Sequence, residues 1–202
     1  MSTLIHVVHP YTYKLVGDTL NLGPIPQFSR RDRLIGNFLR EALESRVRIL
    51  HHGDQPFDTI RGILLKIAFR LDPNYVSLLD SHIAFVVTTH YGTPLPDEKP
   101  AELTVAQWKD LCALYTSHSD LQNKIGKPSI SLFFGGLVEA CLANTLGYHL
   151  EHFHTKDARL CYVPEFCVSF SNEQRKHWEK QFADVGIESL SSQDAFDLVH
   201  AA

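Results

Sequence analysis

The chain has 202 residues and a formal net charge of −4, with 44% apolar and 21% charged residues. This length suits one domain with a sizeable core, so we expect a single α/β domain over residues 1–202. The acidic balance and the lack of a basic stripe argue against a nucleic-acid partner. No apolar run approaches the roughly 18 residues of a membrane span, so no membrane partner is expected.

The cysteine spacing and the first residues bear on the cellular location. Four cysteines occur without a CxxC pair, at Cys112, Cys141, Cys161 and Cys167. This pattern is typical of reduced thiols, and we expect all but Cys141 to lie on buried faces or in strands. The N-terminal residues lack the basic segment of a secretion signal. We therefore expect a cytoplasmic location.

Short apolar runs alternate with amphipathic segments along the chain. Strands are predicted at 4–8, 47–50, 82–89, 130–134, 159–163 and 187–190. Helical periodicity predicts helices at 32–45, 60–68, 104–115, 138–150, 172–186 and 192–199, whereas 15–30 is predicted as a loop. Because the middle strands are apolar throughout, we predict a doubly wound, Rossmann-like α/β sheet. It has six mainly parallel strands and helices on both faces.

Polar side chains follow the predicted strands, and ligands bind beyond the carboxyl ends of the strands in such sheets. The residues concerned are His9, Tyr11, His51, His52, Asp54, Thr88, Thr89, His90, Cys141 and Glu165. We take Tyr11, His52 and Glu165 as candidate substrate-binding residues. Each histidine is equally compatible with an ordinary loop position.

Cys141 lies in the stretch FFGGLVEACLANT, at the start of a predicted helix that follows Gly135 and Gly136. Glycines permit a tight turn and a close backbone approach. A cysteine in the first helical turn sees the positive end of the helix dipole, which favours the thiolate. The stretch therefore fits a nucleophile for acyl transfer. It fits a small buried apolar cysteine as well, and from the local sequence both interpretations stay open.

Four segments resemble the isochorismatase-like cysteine hydrolases, the superfamily of nicotinamidases and N-carbamoyl amidohydrolases. They are HYGTPL, LFFGGLVEACLANT, LCYVPEFCVSF and the C-terminal NEQRKHWEKQFADVGIESLSSQDAFDL. The resemblance implies a doubly wound α/β oligomer that hydrolyses a small molecule with Cys141 as nucleophile. It also implies an oxyanion hole from the N–H groups of Leu137 and Cys141, with a cis peptide or strained backbone at Gly136–Leu137.

The chain departs from the family pattern at two catalytic positions. His9 stands where the family has its Asp base, and Thr88, Thr89 and His90 occupy the region of its Lys. Lys99 and Lys109 would be alternatives only if the strand register were different. One interpretation is a divergent hydrolase of amide or carbamoyl C–N bonds in which His9 or His90 is the base.

The other interpretation is an inactive family member that binds a small molecule or forms an oligomeric interaction protein. Whether the chain is an enzyme is therefore left open by the sequence. A metal held by His51, His52 and Asp54 is a further alternative, but neither a metal nor a cofactor is predicted. The expected partners are a small-molecule ligand and further copies of the same chain.

Overall fold

The computed structural model describes residues 2–10, 14–16, 19–21, 29–53, 81–89 and 92–201. A six-stranded sheet forms its centre, and every neighbouring pair of strands runs parallel. Its strands are β1 (Thr3–Val8), β4 (Arg48–Gly53), β5 (Ile83–Val87), β6 (Ile130–Gly135), β7 (Arg159–Tyr162) and β8 (Glu188–Ser189). Two further strands, β2 (Lys14–Val16) and β3 (Thr19–Asn21), pair with each other in antiparallel orientation.

Six α-helices are described, in addition to a π-helical turn at Val138–Leu142 and a 3-10 turn at Pro164–Phe166. They are α1 (Ser29–Glu44), α2 (Val105–Leu114), α3 (His118–Ile125), α4 (Ala143–His152), α5 (Asn172–Asp184) and α6 (Ser192–His200). None of the helices in the described part of the chain is long and apolar enough to cross a membrane.

The sheet is covered on both faces, as the uninterrupted apolar strands predict. On one face, Leu121 and Ile125 of α3 pack with Leu4, Leu50 and Val86. On the other face, Phe38 of α1 packs edge-on against Phe134, with 5.5 Å between ring centroids. The predicted doubly wound, six-stranded parallel α/β architecture is therefore confirmed.

The strand order is β5-β4-β1-β6-β7-β8. After β1 the chain adds β4 and then β5 on one side of β1, and it later adds β6, β7 and β8 on the other side. The point where the direction reverses lies between β1 and β6, which is where open α/β sheets bind ligands. The residues after these two strands, His9 and Cys141, therefore flank the expected binding crevice.

The predicted elements agree with the structure to within a few residues, and two differences stand out. Helix α3 was not predicted, because Leu121 and Ile125 are its only buried residues and two positions give little periodicity. The predicted loop 15–30 contains β3 and parts of β2 and α1. The predicted helix at 60–68 lies outside the described residues. Thr104 and Gln107 do form the expected capping box at the start of α2.

Besides His9, four histidines of the described residues are buried: His6, His51 and His52 in the sheet and His149 on α4, each at most 4% exposed. Burial is the main cause that lowers the pKa of all four imidazoles. It lowers the pKa of His51 to about 3 and that of His149 to about 4. The pKa values of His6 and His52 also fall well below 6.5, with the neighbouring histidines as further causes. The four side chains are therefore neutral in the folded protein at neutral pH.

We expect this histidine core to make folding stability strongly dependent on acid. Below pH 6.5 the unfolded chain binds protons at these four positions, whereas in the folded chain burial lowers the pKa of His149 to about 4 and that of His51 to about 3. Burial also holds the pKa values of His6 and His52 well below 6.5, so these two imidazoles likewise stay neutral on folding. Stability is therefore full above about pH 6.5 and falls as the pH drops. Each histidine contributes a loss of up to about 1.4 kcal/mol per pH unit. Urea unfolding at pH 8, 6.5, 5.5 and 5 measures this loss.

A His51→Phe variant should make the pH dependence shallower by about one proton, because its ring would sit beside Phe85 without titrating. His51 and Phe85 ring centroids are 5.6 Å apart. The exposed His177 provides the matched control, since His177→Asn should leave the slope unchanged. A free energy of unfolding that stays constant between pH 8 and pH 5 would contradict the histidine assignment.

Candidate functional site

The end of β6 lies very close to the end of β1, its parallel neighbour in the sheet. A Cβ on Gly135 would lie 2.1 Å from the carbonyl oxygen of Val8, and Gly135 has a φ of +118°. The N–H of Gly136 donates to the same carbonyl oxygen at 2.5 Å. Only glycine fits at position 135, because any side chain there would overlap the backbone of β1. The two glycines thus bring the residues after both strands to one place.

Cys141 lies in the π-helical turn Val138–Leu142, which continues directly into α4. The turn is closed by a hydrogen bond from the N–H of Leu142 to the carbonyl oxygen of Leu137, at 3.1 Å. The side chain of Cys141 is partly exposed, in contrast with the buried side chains of Cys161 and Cys167. Single π turns inside helices occur frequently at functional sites. The predicted position of Cys141, in the first turn of the helix after the fourth predicted strand, is confirmed.

The backbone beside Cys141 differs from the expectation in one respect. No cis peptide occurs among the described residues, so the predicted cis bond at Gly136–Leu137 is wrong. Leu137 adopts relaxed extended angles, with φ −73° and ψ 125°. In the described part of the chain, the N–H of Leu137 makes no hydrogen bond, whereas the N–H of Val138 donates to Val168. The role of the Leu137 and Cys141 amides as an oxyanion hole stays a prediction.

His9 directly follows β1, and its backbone lies near Cys141. A Cβ placed on Gly136 would lie 3.5 Å from both the Cβ of Cys141 and the carbonyl oxygen of His9. His9 has a φ of +39°, which is uncommon for a residue with a side chain and indicates local strain. Strain of this kind concentrates at functional sites.

Contacts with two described residues, His52 and Thr88, help to hold His9 in this conformation. Its N–H donates to the carbonyl oxygen of His52 at 3.0 Å. Its Nε2 lies 3.4 Å from the hydroxyl of Thr88, which is fully buried after β5. The N–H of Thr88 donates in turn to Gly53 at 2.8 Å. The ends of β4 and β5 therefore fix both the backbone and the ring of His9.

The turn after β5 is clamped onto the helix that carries Cys141. The hydroxyl of Thr145 lies 2.7 Å from the carbonyl oxygen of Cys141 and 3.1 Å from that of Gly92. A Cβ on Gly92 would lie 2.4 Å from the Thr145 hydroxyl, and Gly92 has a φ of +83°. The Thr of the resembling motif thus has a structural role, because it ties the π turn to the neighbouring loop.

The other predicted site residues fall into three groups. Tyr11 and His90 lie outside the described residues. His52 is buried and bonds to His6, with 3.0 Å between His52 Nε2 and His6 Nδ1. Glu165 is exposed and accepts a hydrogen bond from the N–H of Ser192, at the start of α6. Direct substrate contacts by Tyr11, His52 and Glu165 therefore stay predictions.

The alternative metal site at His51, His52 and Asp54 does not fit the strand geometry. His51 and His52 are consecutive residues of β4, so their side chains point to opposite faces of the sheet. His51 packs against Phe85, whereas His52 contacts His6. Asp54 lies outside the described residues. Within the described ranges, no three His, Cys, Asp or Glu side chains come together as metal ligands.

Neither alternative lysine lies in the crevice. The ammonium group of Lys99 binds the carbonyl oxygens of Pro100 and Leu103 in its own exposed loop. Lys109 is exposed on α2. The strand register that leaves Thr88 and Thr89 after β5 is therefore the one in the structure.

The remaining thiols differ from Cys141 in their surroundings. Burial raises the pKa of Cys161 to about 11 and that of Cys167 to about 12. Both thiols are therefore protonated at neutral pH. Cys112, in contrast, is exposed on α2, so the expectation that it lies on a buried face is wrong. Helix α2 places none of its residues in the core.

Comparison with known proteins shows which solved structures share the fold. No protein-family model matches the chain, and no curated protein matches its sequence. The solved structures that resemble it include an isochorismatase family protein from Desulfovibrio vulgaris. That likeness has a TM-score of 0.56 and 13% identity, and it covers 100% of this chain and 99% of the other.

Two further structures share the fold at similar identity. The nicotinamidase from Staphylococcus aureus has a TM-score of 0.55 and 13% identity, over 94% of this chain and 100% of its own. MAR1 ribonuclease from Caenorhabditis elegans has a TM-score of 0.53 and 12% identity, over 96% of this chain and 79% of its own. At such identities the likeness carries the fold alone. The predicted resemblance to the isochorismatase-like superfamily is therefore confirmed in the architecture, and this chain has the isochorismatase-like α/β fold.

Proposed function

We propose that this protein is a divergent cysteine hydrolase that cleaves an amide or carbamoyl C–N bond of a small molecule. The observation that carries the proposal is that Cys141 and the backbone of His9 both lie beside Gly136, at the β1–β6 switch point. A partly exposed thiol in a helical turn and a buried imidazole on a strained backbone meet the needs of a nucleophile and a base. The nicotinamidase of the same fold is consistent with this class of bond.

In the proposed reaction, His9 takes the proton of the Cys141 thiol, and the thiolate attacks the carbonyl carbon of the substrate. The N–H groups of Leu137 and Cys141 would stabilise the negative oxygen of the tetrahedral intermediate. The C–N bond then breaks, and the amine leaves with the proton held by His9. Water, deprotonated by His9, hydrolyses the thioester and releases the acid and the free thiol.

A second candidate function is an inactive scaffold that binds a small molecule or acts as an oligomeric interaction protein. The observation in its favour is the residue types at the two positions that differ from the family pattern. His9 follows β1 where the family has its Asp, and Thr88 follows β5 in the region of its Lys. A threonine cannot supply the positive charge of a lysine. Loss of one member of an interdependent catalytic set removes most of its activity.

The first test is the reactivity of Cys141, measured in a Cys112→Ser background because Cys112 is the other accessible thiol. We expect iodoacetamide to alkylate Cys141 at pH 7 about tenfold faster than a free thiol, because a nearby base increases its thiolate fraction. His9→Ala should return the rate to that of a free thiol. Mass spectrometry of the alkylated protein between pH 5 and 9 gives the rates.

The matched control is His177→Ala, which replaces an exposed histidine on α5. A Cys141 rate equal in His9→Ala and in the parent would show that His9 is not the base. A free-thiol rate in the parent, without turnover of amide or carbamoyl substrates, would favour the inactive scaffold.

Thr88 is expected to hold the His9 ring in its working orientation. Thr88→Val keeps the shape but removes the hydroxyl, so we expect Cys141 alkylation to slow about fivefold, as one buried hydrogen bond is worth about 1 kcal/mol. Thr88→Ser restores the hydroxyl and should restore most of the rate. Thr89→Val removes the neighbouring hydroxyl, which bonds to Thr93 instead, and serves as the control. Equal rates in all three variants would exclude a positioning role for Thr88.

Self-association stays a prediction. The resemblance implies an oligomer, and symmetric assembly is common among proteins of this size. Light scattering of the purified protein over a hundredfold concentration range is expected to give a mass above the 22.9 kDa of one chain. A mass of one chain at every concentration would refute it.

A further inference from the structure

Of the Lys and Arg side chains that the structure describes, Arg31 is the buried one, with 7% of its surface exposed. It lies in the first turn of α1, which begins at Ser29. Taking a guanidinium group out of water costs free energy, which its contacts must offset. One of those contacts is with the segment of chain directly after β1, beside the crevice.

Arg31 binds the backbone of Pro10 through a short hydrogen bond. Its Nη2 donates to the carbonyl oxygen of Pro10 at 2.6 Å, and both groups are buried. A hydrogen bond from a charged donor is stronger than one between neutral groups. Because proline has no N–H, this carbonyl is the only backbone group of Pro10 that can form a hydrogen bond. Arg31 therefore binds the one polar group by which the backbone of Pro10 can be held.

The residue before this proline is the one with the strained backbone. His9 has a φ of +39°, which is uncommon for a residue with a side chain. A following proline restricts it further, because the proline ring favours extended angles in the residue before it. Surrounding contacts must therefore hold this segment in place. The carbonyl oxygen of His52 binds the N–H of His9 on one side, and Arg31 binds Pro10 on the other.

The charge of Arg31 also acts on the residues that follow β7. Burial raises the pKa of Cys167 to about 12, whereas the nearby guanidinium groups of Arg175 and Arg31 act in the opposite direction. Cys167 lies directly after the 3-10 turn at the end of β7. The guanidinium group of Arg31 is therefore close to the chain after β1 and to the chain after β7, at the carboxyl edge of the sheet.

We propose that Arg31 is a positioning residue that holds the His9–Pro10 backbone in the conformation needed to place the His9 imidazole. The inference rests on the role of His9 proposed above, as the base of Cys141. Arg31 itself takes no part in the proton transfer. Without its hydrogen bond, His9 can relax towards negative φ, and its ring then moves away from the hydroxyl of Thr88.

Alkylation of Cys141 in the Cys112→Ser background tests this role. Arg31→Met keeps a long side chain but removes every donor, so we expect the rate at pH 7 to fall about tenfold, to that of His9→Ala. The pH profile of the rate between pH 5 and 9 should become that of a free thiol. Arg31→Lys keeps the charge and a donor group and should recover part of the rate. Arg33→Met replaces an exposed arginine of α1, so this matched control should leave the profile unchanged.

A double variant shows whether Arg31 acts through His9. In His9→Ala, the further change Arg31→Met should leave the Cys141 rate unchanged, because no imidazole remains to be positioned. An equal fall in both backgrounds would overturn the proposal, and so would an Arg31→Met rate equal to the parent rate. If His9→Ala itself leaves the rate unchanged, the base assignment fails together with this inference. A fall in His9→Ala without one in Arg31→Met overturns the role of Arg31 alone.

A crystal structure of the unmodified protein tests the geometry even if Arg31→Met does not fold. We expect Nη2 of Arg31 within about 3.2 Å of the carbonyl oxygen of Pro10, and a positive φ at His9. An Arg31 side chain turned away from Pro10, or a negative φ at His9, would overturn the proposal.

Discussion

The contact between Gly135 and the carbonyl of Val8 is the constraint on which the rest of the crevice depends. It requires a glycine with positive φ at the end of β6 and brings that strand end against β1. The chain must then turn away sharply, and it does so through Gly136 into the π turn. Cys141 and the backbone of His9 both lie beside Gly136 because their two strands are joined at this point.

The sequence alone predicted most of the sheet, for a physical reason. Strands covered on both faces are apolar throughout, so segments such as 130–134 stand out from the amphipathic helices around them. Helix α3 could not be predicted from the sequence, because its contact with the core is limited to two side chains. The strand pair β2–β3 is short, and three residues a strand give too little alternation to recognise.

The candidate site was predictable in part. The sequence indicates His9 as a candidate because it directly follows an apolar strand, and Cys141 because it begins the predicted helix after Gly135 and Gly136. The geometry of Gly136–Leu137 could not be predicted from the sequence, since it depends on contacts with Val168 and Val8, which are distant in the sequence. Thr88 was recorded only as the occupant of an expected lysine position. Its hydrogen bond to His9 joins residues 79 positions apart, which no local pattern reveals.

The π turn has a consequence for how this chain tolerates changes in length. Its hydrogen bond joins Leu137 to Leu142, five positions apart, where an α-helical hydrogen bond joins residues four positions apart. Deleting one residue from Val138–Leu142 would let the segment close as a regular α-helix. Because the π turn uses one residue more than an α turn for about the same rotation, the side chains on both sides of the deletion would keep their positions around the helix axis. The same deletion inside α4 would instead rotate all preceding side chains by about 100°, so the π turn is where this segment can lose a residue with the least change to the crevice.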